Sequence, residues 1–147
     1  TCCMTLGDLG AYYQAYVVSA HRTPDRMYEV AKAIDGRVKV VIAAAGGAAH
    51  LPGMMKSLMY RTVVVGLPIR SKTLDGLDSL LSISQMPPGE PVGTMGIGAA
   101  ENAAIYAAEI LGLVRPEVMD NVAAYRKKIS GNVPYLPVAS GEAAKER

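Results

Sequence analysis

Apolar residues fall along this chain in two alternating rhythms. Tyr12 to Val18, Val38 to Ala45 and Thr62 to Leu67 are runs of β-forming or apolar residues, which predict strands. Between them, apolar residues return every three or four positions. Met27, Val30, Ala31 and Ile34 form one helical stripe, stopped by Asp35-Gly36. Thr23 suits the N-cap of that helix, Pro24 its first position and Asp25 its first turn. The run from Val38 is apolar throughout, as in a strand covered on both faces. A glycine loop and a helix to about Tyr60 follow it. The strand from Thr62 is expected to end at Pro68. Leu74, Leu77 and Leu81 then mark a helix reaching Gln85-Met86. Asp75, Asp78, Ser79, Ser82, Ser84 and Gln85 interleaved with them read as its solvated face, with a ligand-facing loop at Ser71 to Asp75 the less favoured alternative. Pro91 to Ile97 is a weaker strand, softened by Gly93 and Gly96. Asn102 to Leu113 is apolar nearly all round, which predicts a buried helix, in the core or between subunits. Val118, Val122, Tyr125 and Ile129 give a last amphipathic helix, and residues 2–9 also have helical spacing.

Strand and helix thus alternate, the pattern of an α/β fold with a parallel sheet and helices on both faces. One domain is expected over residues 1–130, with a loosely attached tail over 131–147. Ligands of such folds bind beyond the carboxyl ends of the strands. The loops after Val18 and after Ile42 both lie at that edge, and each carries one of the chain's two histidines.

Composition narrows the classes. The chain has 147 residues, half of them hydrophobic, enough for one sizeable core and incompatible with disorder. The apolar runs are too short to span a bilayer. There is no basic stretch followed by an apolar core to act as a secretory signal, and the first residue is Thr1 rather than a translation start. Cys2 and Cys3 are adjacent and cannot staple the domain, so a reducing cytoplasm is the simplest setting. The formal charge of +2 is scattered, which argues against nucleic acid and leaves a small anionic substrate compatible. Phe and Trp are absent while Ala, Gly and Met are abundant, so close packing or a large subunit interface is expected.

Two constellations carry chemistry. In Ser19-Ala20-His21-Arg22, the hydroxyl and the guanidinium can hold a phosphate, helped by the N-terminus of the next helix. His21 between them is free for proton transfer, since imidazole titrates near neutral pH. The same residues also fit a plain strand–helix turn with a surface His and Arg. In Ala45-Gly46-Gly47-Ala48-Ala49-His50-Leu51, small side chains let a ligand lie against bare backbone. This is neither a dinucleotide fingerprint nor a Walker loop, and a Gly-Gly pair alone can be only a turn. No spacing of His, Cys or acidic residues points to a metal.

The motifs from Ser19 to Pro24, from Ala45 to Met54 and from Leu74 to Ser82, followed by Gln85-Met86-Pro87, occur in an order that resembles the class I PurE family. These are the N5-carboxyaminoimidazole ribonucleotide mutases of purine biosynthesis, and the resemblance covers about residues 9 to 130. It implies a flavodoxin-like three-layer αβα sandwich, a homo-octamer with sites between subunits, and an isomerase with no metal or organic cofactor. In this reading the carboxylate on the exocyclic nitrogen of an aminoimidazole ribonucleotide moves to the ring carbon through bound CO2. His21 would shuttle the proton. Ser19, Ala20 and Arg22 would contact the nucleotide, and Ala45, Gly46, Gly47, Ala48 and Leu51 would wall the base and the CO2. His50 matches a histidine at the edge of that site. Direct carboxylation by CO2, or a non-catalytic nucleotide-binding relative, are the alternatives. The family's opening strand and Gly-Ser-x-Ser-Asp loop have no counterpart here, because Leu9 to Tyr13 already matches the segment before its second strand. The segment from Gly96 to Asn102 is also shorter than the commonest family form.

Overall fold

A computed structural model describes residues 1–134. The elements run α1 (Cys2–Asp8), α2 (Pro24–Ile34), β1 (Val40–Gly46), α3 (Leu51–Leu58), β2 (Val63–Ile69), α4 (Leu77–Ser84), β3 (Gly93–Thr94), α5 (Ala100–Gly112) and α6 (Pro116–Gly131). The strands form one parallel sheet in the order β1-β2-β3. β1 and β2 pair over their whole length, from Val40 opposite Val63 to Gly46 opposite Ile69.

Alternation along the strands sends side chains to two cores. Ala43 and Val64 join Met27 and Ala31 of α2 and Met55 of α3 on one face. Val65 and Leu67 join Ala103 of α5 on the other, with Val40 and Ile42 packed against them. α6 and the end of α1 cover the far side of α5, where Leu9, Ala108, Val118 and Val122 are buried together. The result is a three-layer α/β sandwich, the flavodoxin-like arrangement that the family resemblance implies.

Three local expectations need correction. Tyr12 to Val18 has no regular secondary structure and belongs to no sheet among the described residues. A strand is held by its ladder and by side chains packed on neighbours, and this segment has no ladder and leaves Tyr12 to Val17 exposed. Tyr12 is 88% and Val17 86% exposed. The segment is tied down at its ends, where the Leu9 carbonyl accepts from Asn121 and Val18 packs on the α2–α3 core. Pro68 does not end β2 but sits inside it opposite Ala45. It lacks only an N–H, and its carbonyl accepts the Gly98 N–H at 2.8 Å. β1 is covered on both faces as expected, Val41 and Ala43 on one core and Val40 and Ile42 on the other, and its residues stay partly exposed because its outer edge is unpaired among the described residues. β3 shrinks to Gly93–Thr94.

α4 docks with a face opposite to the expected one. Leu77 and Leu81 are exposed, while Ser79 and Ile83, one turn apart, are fully buried. Gly66 of β2 explains the close approach. A Cβ there would meet Ile83 Cγ2 at 2.3 Å and Val92 Cγ1 at 3.0 Å, so only glycine lets the helix settle. The part of the tail from residue 135 onward lies outside the described residues.

Candidate functional site

Both histidine loops leave the sheet side at the carboxyl edge, and the structure brings their rings together. His21 Nε2 lies 2.9 Å from His50 Nδ1, with the rings edge to face at 4.9 Å between centroids. In a contact of that length one ring nitrogen donates its N–H and the other accepts it. Both histidines are exposed, so a ligand can reach them.

The loop carrying His21 is a closed turn built by two side chains. Thr23 does not cap α2 as expected. Its hydroxyl instead accepts the Ser19 N–H at 2.8 Å and donates back to the Ser19 carbonyl at 3.2 Å. Ser19 Oγ accepts the Arg22 N–H at 3.2 Å, which leaves its own proton for a ligand. Arg22 is exposed and makes no ion pair among the described residues. Ala20 packs against the α2–α3 core and fixes the base of the turn.

The loop carrying His50 continues β1. Gly46 is still in the ladder opposite Ile69, Gly47 turns with φ of +69°, and Ala49 is buried. The His50 N–H then bonds the Ala48 carbonyl at 2.8 Å. No acceptor among the described residues takes the N–H of Ala48 or Ala49; Ala48 is exposed, so its donor is within reach of a ligand, while Ala49 is buried. Ala45 is half-buried, Gly46 and Ala48 are exposed, and Leu51 packs on the core behind the loop. All the residues singled out in the sequence therefore lie on two loops joined by the His21–His50 contact.

Two residues were missed. Ser79 Oγ accepts the Gly47 N–H at 2.8 Å and donates to the Ile69 carbonyl at 2.6 Å. Ser82 Oγ reaches the Gly47 carbonyl at 3.4 Å and the Asp78 carbonyl at 2.7 Å. Their signal was available, since serines three apart on a helix share a face. The leucines around them obscured it.

The arrangement sets two exposed imidazoles in contact beside a turn carrying a hydroxyl and an exposed guanidinium and a small-residue loop with a backbone donor at Ala48. A separate cavity of about 510 Å³, lined by Lys56, Arg61 and Tyr106 among others, reaches Val63 and Gly93 at the amino ends of β2 and β3, away from this chemistry.

Comparison with known proteins gives a consistent result. The family model described as AIR carboxylase matches residues 1–132. The chain is 50% identical over 129 residues to an N5-carboxyaminoimidazole ribonucleotide mutase of Thermotoga maritima, covering 87% of this chain and 75% of that one. It is 52% identical over 123 residues to the protein of the same name from Pyrococcus abyssi, covering 83% and 70%. Among solved structures, Treponema denticola PurE superposes with a TM-score of 0.76 at 26% identity, covering 88% of this chain and 81% of the other.

Proposed function

The chain belongs to the AIR carboxylase family of PurE proteins, and from that premise we propose that it is an N5-carboxyaminoimidazole ribonucleotide mutase. It converts the N5-carboxylated nucleotide to 4-carboxy-5-aminoimidazole ribonucleotide. The observation that carries the site assignment is the 2.9 Å contact of His21 with His50 beside the exposed Ala48 of the glycine loop, whose N–H has no partner among the described residues.

The reaction needs one bond broken, one formed and one proton moved. The bond between the exocyclic nitrogen and the carboxyl carbon breaks, its electron pair returns to nitrogen, and CO2 is left in the site. Nitrogen takes a proton. The ring carbon then attacks CO2, a carbon–carbon bond forms, and the proton on that carbon leaves. The net movement is one proton from ring carbon to nitrogen, which one imidazole can carry. His21 is assigned the shuttle and His50 the contact that orients it. Ser19 and Arg22 hold the phosphate with hydroxyl and guanidinium. The backbone N–H of Ala48 faces charge on the carboxylate, and Ala45, Gly46, Gly47 and Leu51 keep the pocket small.

The test is incubation of the chain with the N5-carboxylated nucleotide. Appearance of the carbon-carboxylated isomer supports the mutase; a folded chain that yields none contradicts it. The family description favours one competing reading, direct carboxylation of the free amine. Supplying aminoimidazole ribonucleotide with CO2 separates the two.

A homo-oligomer, an octamer by the resemblance, is part of the same proposal. The exposed stripe Leu74, Leu77 and Leu81 supports a subunit contact, and light scattering measures it. A cytoplasmic setting is likewise proposed. No helix among the described residues is long and apolar enough to cross a membrane. The family match supports a single domain over residues 1–130, with the rest as a tail.

A further inference from the structure

A serine hydroxyl is costly to bury unless both its donor and its acceptor capacity are used. Ser79, in the first turn of α4, is fully buried and uses both. Among the described residues it is the one side chain that bonds both the last carbonyl of β2, at Ile69, and the first left-handed residue of the glycine loop, Gly47. Ser82, three residues on, reaches the other polar group of the same glycine, its carbonyl. Gly66 is what lets α4 come close enough for either contact. No packing need explains the hydroxyl, since alanine would fill nearly the same space.

We propose that Ser79 is a positioning residue for the transfer. Its hydroxyl fixes Gly47 against Ile69, and so sets where the backbone donor of Ala48 and the ring of His50 stand relative to the migrating carboxylate. The inference rests on the mutase reading for its chemistry and on geometry alone for the clamp. A loop freed from this clamp still binds the nucleotide through Ser19 and Arg22. It retains the CO2 less well between bond breaking and bond making. CO2 then escapes, and the exocyclic nitrogen keeps the proton His21 gave it and leaves as the free amine of aminoimidazole ribonucleotide. The ring-carbon proton stays in place, and His21 regains a proton from water.

The experiment compares the unaltered chain with Ser79→Ala, Ser79→Cys and Ser82→Ala. It reads amide exchange at Gly47, kcat and KM for the N5-carboxylated nucleotide, and the yield of free amine above the enzyme-free rate. Ser79→Ala should lose Gly47 protection, lower kcat about tenfold with KM within about twofold, and shift product toward the free amine. Ser79→Cys keeps the shape with weaker hydrogen bonds and should fall between. If Ser79→Ala does not fold, the cysteine variant carries the same test. Ser82→Ala, which loses only the longer contact, should change least. Unchanged Gly47 exchange, or unchanged kcat and product ratio, overturns the proposal. An unaltered chain that protects Gly47 but turns nothing over overturns the reaction and the catalytic role of Ser79, while the exchange result shows that the clamp itself is real.

Discussion

The two histidine loops carry the same side chain to the same point and are held there in different ways. His50 follows a strand paired over seven residues, and its loop is gripped from behind by Ser79, itself in a helix seated on Gly66. His21 follows an irregular segment with no strand partner and stands on a turn closed by two side chains, Ser19 and Thr23. The glycine loop therefore inherits the stiffness of the sheet, while the His21 turn rests on its own hydrogen bonds and on Val18 and Ala20 packed against the core. A pocket for CO2 needs a fixed wall, while a proton carrier needs to reach two atoms of one substrate. The asymmetry suits that division of labour.

The largest effect separates chemistry from scaffold. His21→Asn should lower kcat by about 10²- to 10⁴-fold, the usual worth of a general acid–base group. The melting temperature should stay within about 1 °C, because an exposed side chain away from the core contributes little to stability. A variant that melts early would make His21 structural and erase the contrast.

Gly66→Ala attacks the stiff side from a distance. The added methyl collides with Ile83, so overpacking should cost about 1–3 kcal/mol. Because α4 must move, turnover should also fall, although Gly66 lies outside both loops. Calorimetry with kinetics checks it. Lost stability with full activity would mean that the glycine loop does not depend on α4.

Thr23→Val attacks the soft side. It keeps the side-chain shape and removes both bonds to Ser19, at about 1 kcal/mol. Its signature should be a raised KM, since Ser19 and Arg22 are assigned to the phosphate, with kcat little changed. The reverse pattern would move the phosphate elsewhere.

The smallest effect lies at the other end of the sheet and serves as a control. Asp35 accepts the Arg61 and Tyr60 N–H groups and the Thr62 hydroxyl, which hold its carboxyl below the ordinary value of 3.8, the Arg61 bond most of all. A lowered folded value means that the unfolded chain binds the proton more readily. The stabilisation is complete above the ordinary value and is lost as pH falls through the folded one. Asp35→Asn should flatten this acid dependence of the melting temperature and leave kcat near neutral pH unchanged. A change in kcat would link the two ends of the sheet.

Much of this contrast was legible in the chain, for physical reasons. β1 and β2 were visible because parallel strands buried on their faces must be apolar in unbroken runs, and α2 because its stripe recurs at helical spacing. The two histidine loops were visible as sites because α/β folds put their ligands at that edge. Tyr12 to Val18 was misread because β-formers state a preference for pairing, and the pairing itself depends on a neighbour. Ser79 and Ser82 were misread because hydrophobicity alone assigns leucine inward. On α4, Gly66 leaves room for Ile83 and a hydroxyl beneath it, and the leucines face outward.

The central claim is that the glycine loop keeps the carboxyl carbon in place while the histidine moves the proton. A single turnover of nucleotide carrying a ¹³C-labelled carboxylate, run in medium rich in unlabelled CO2, tests it most directly. Label retained in the 4-carboxy product is the expected result. A product carboxylate with the isotope composition of the medium would contradict the account and make the chain a carboxylase that takes free CO2.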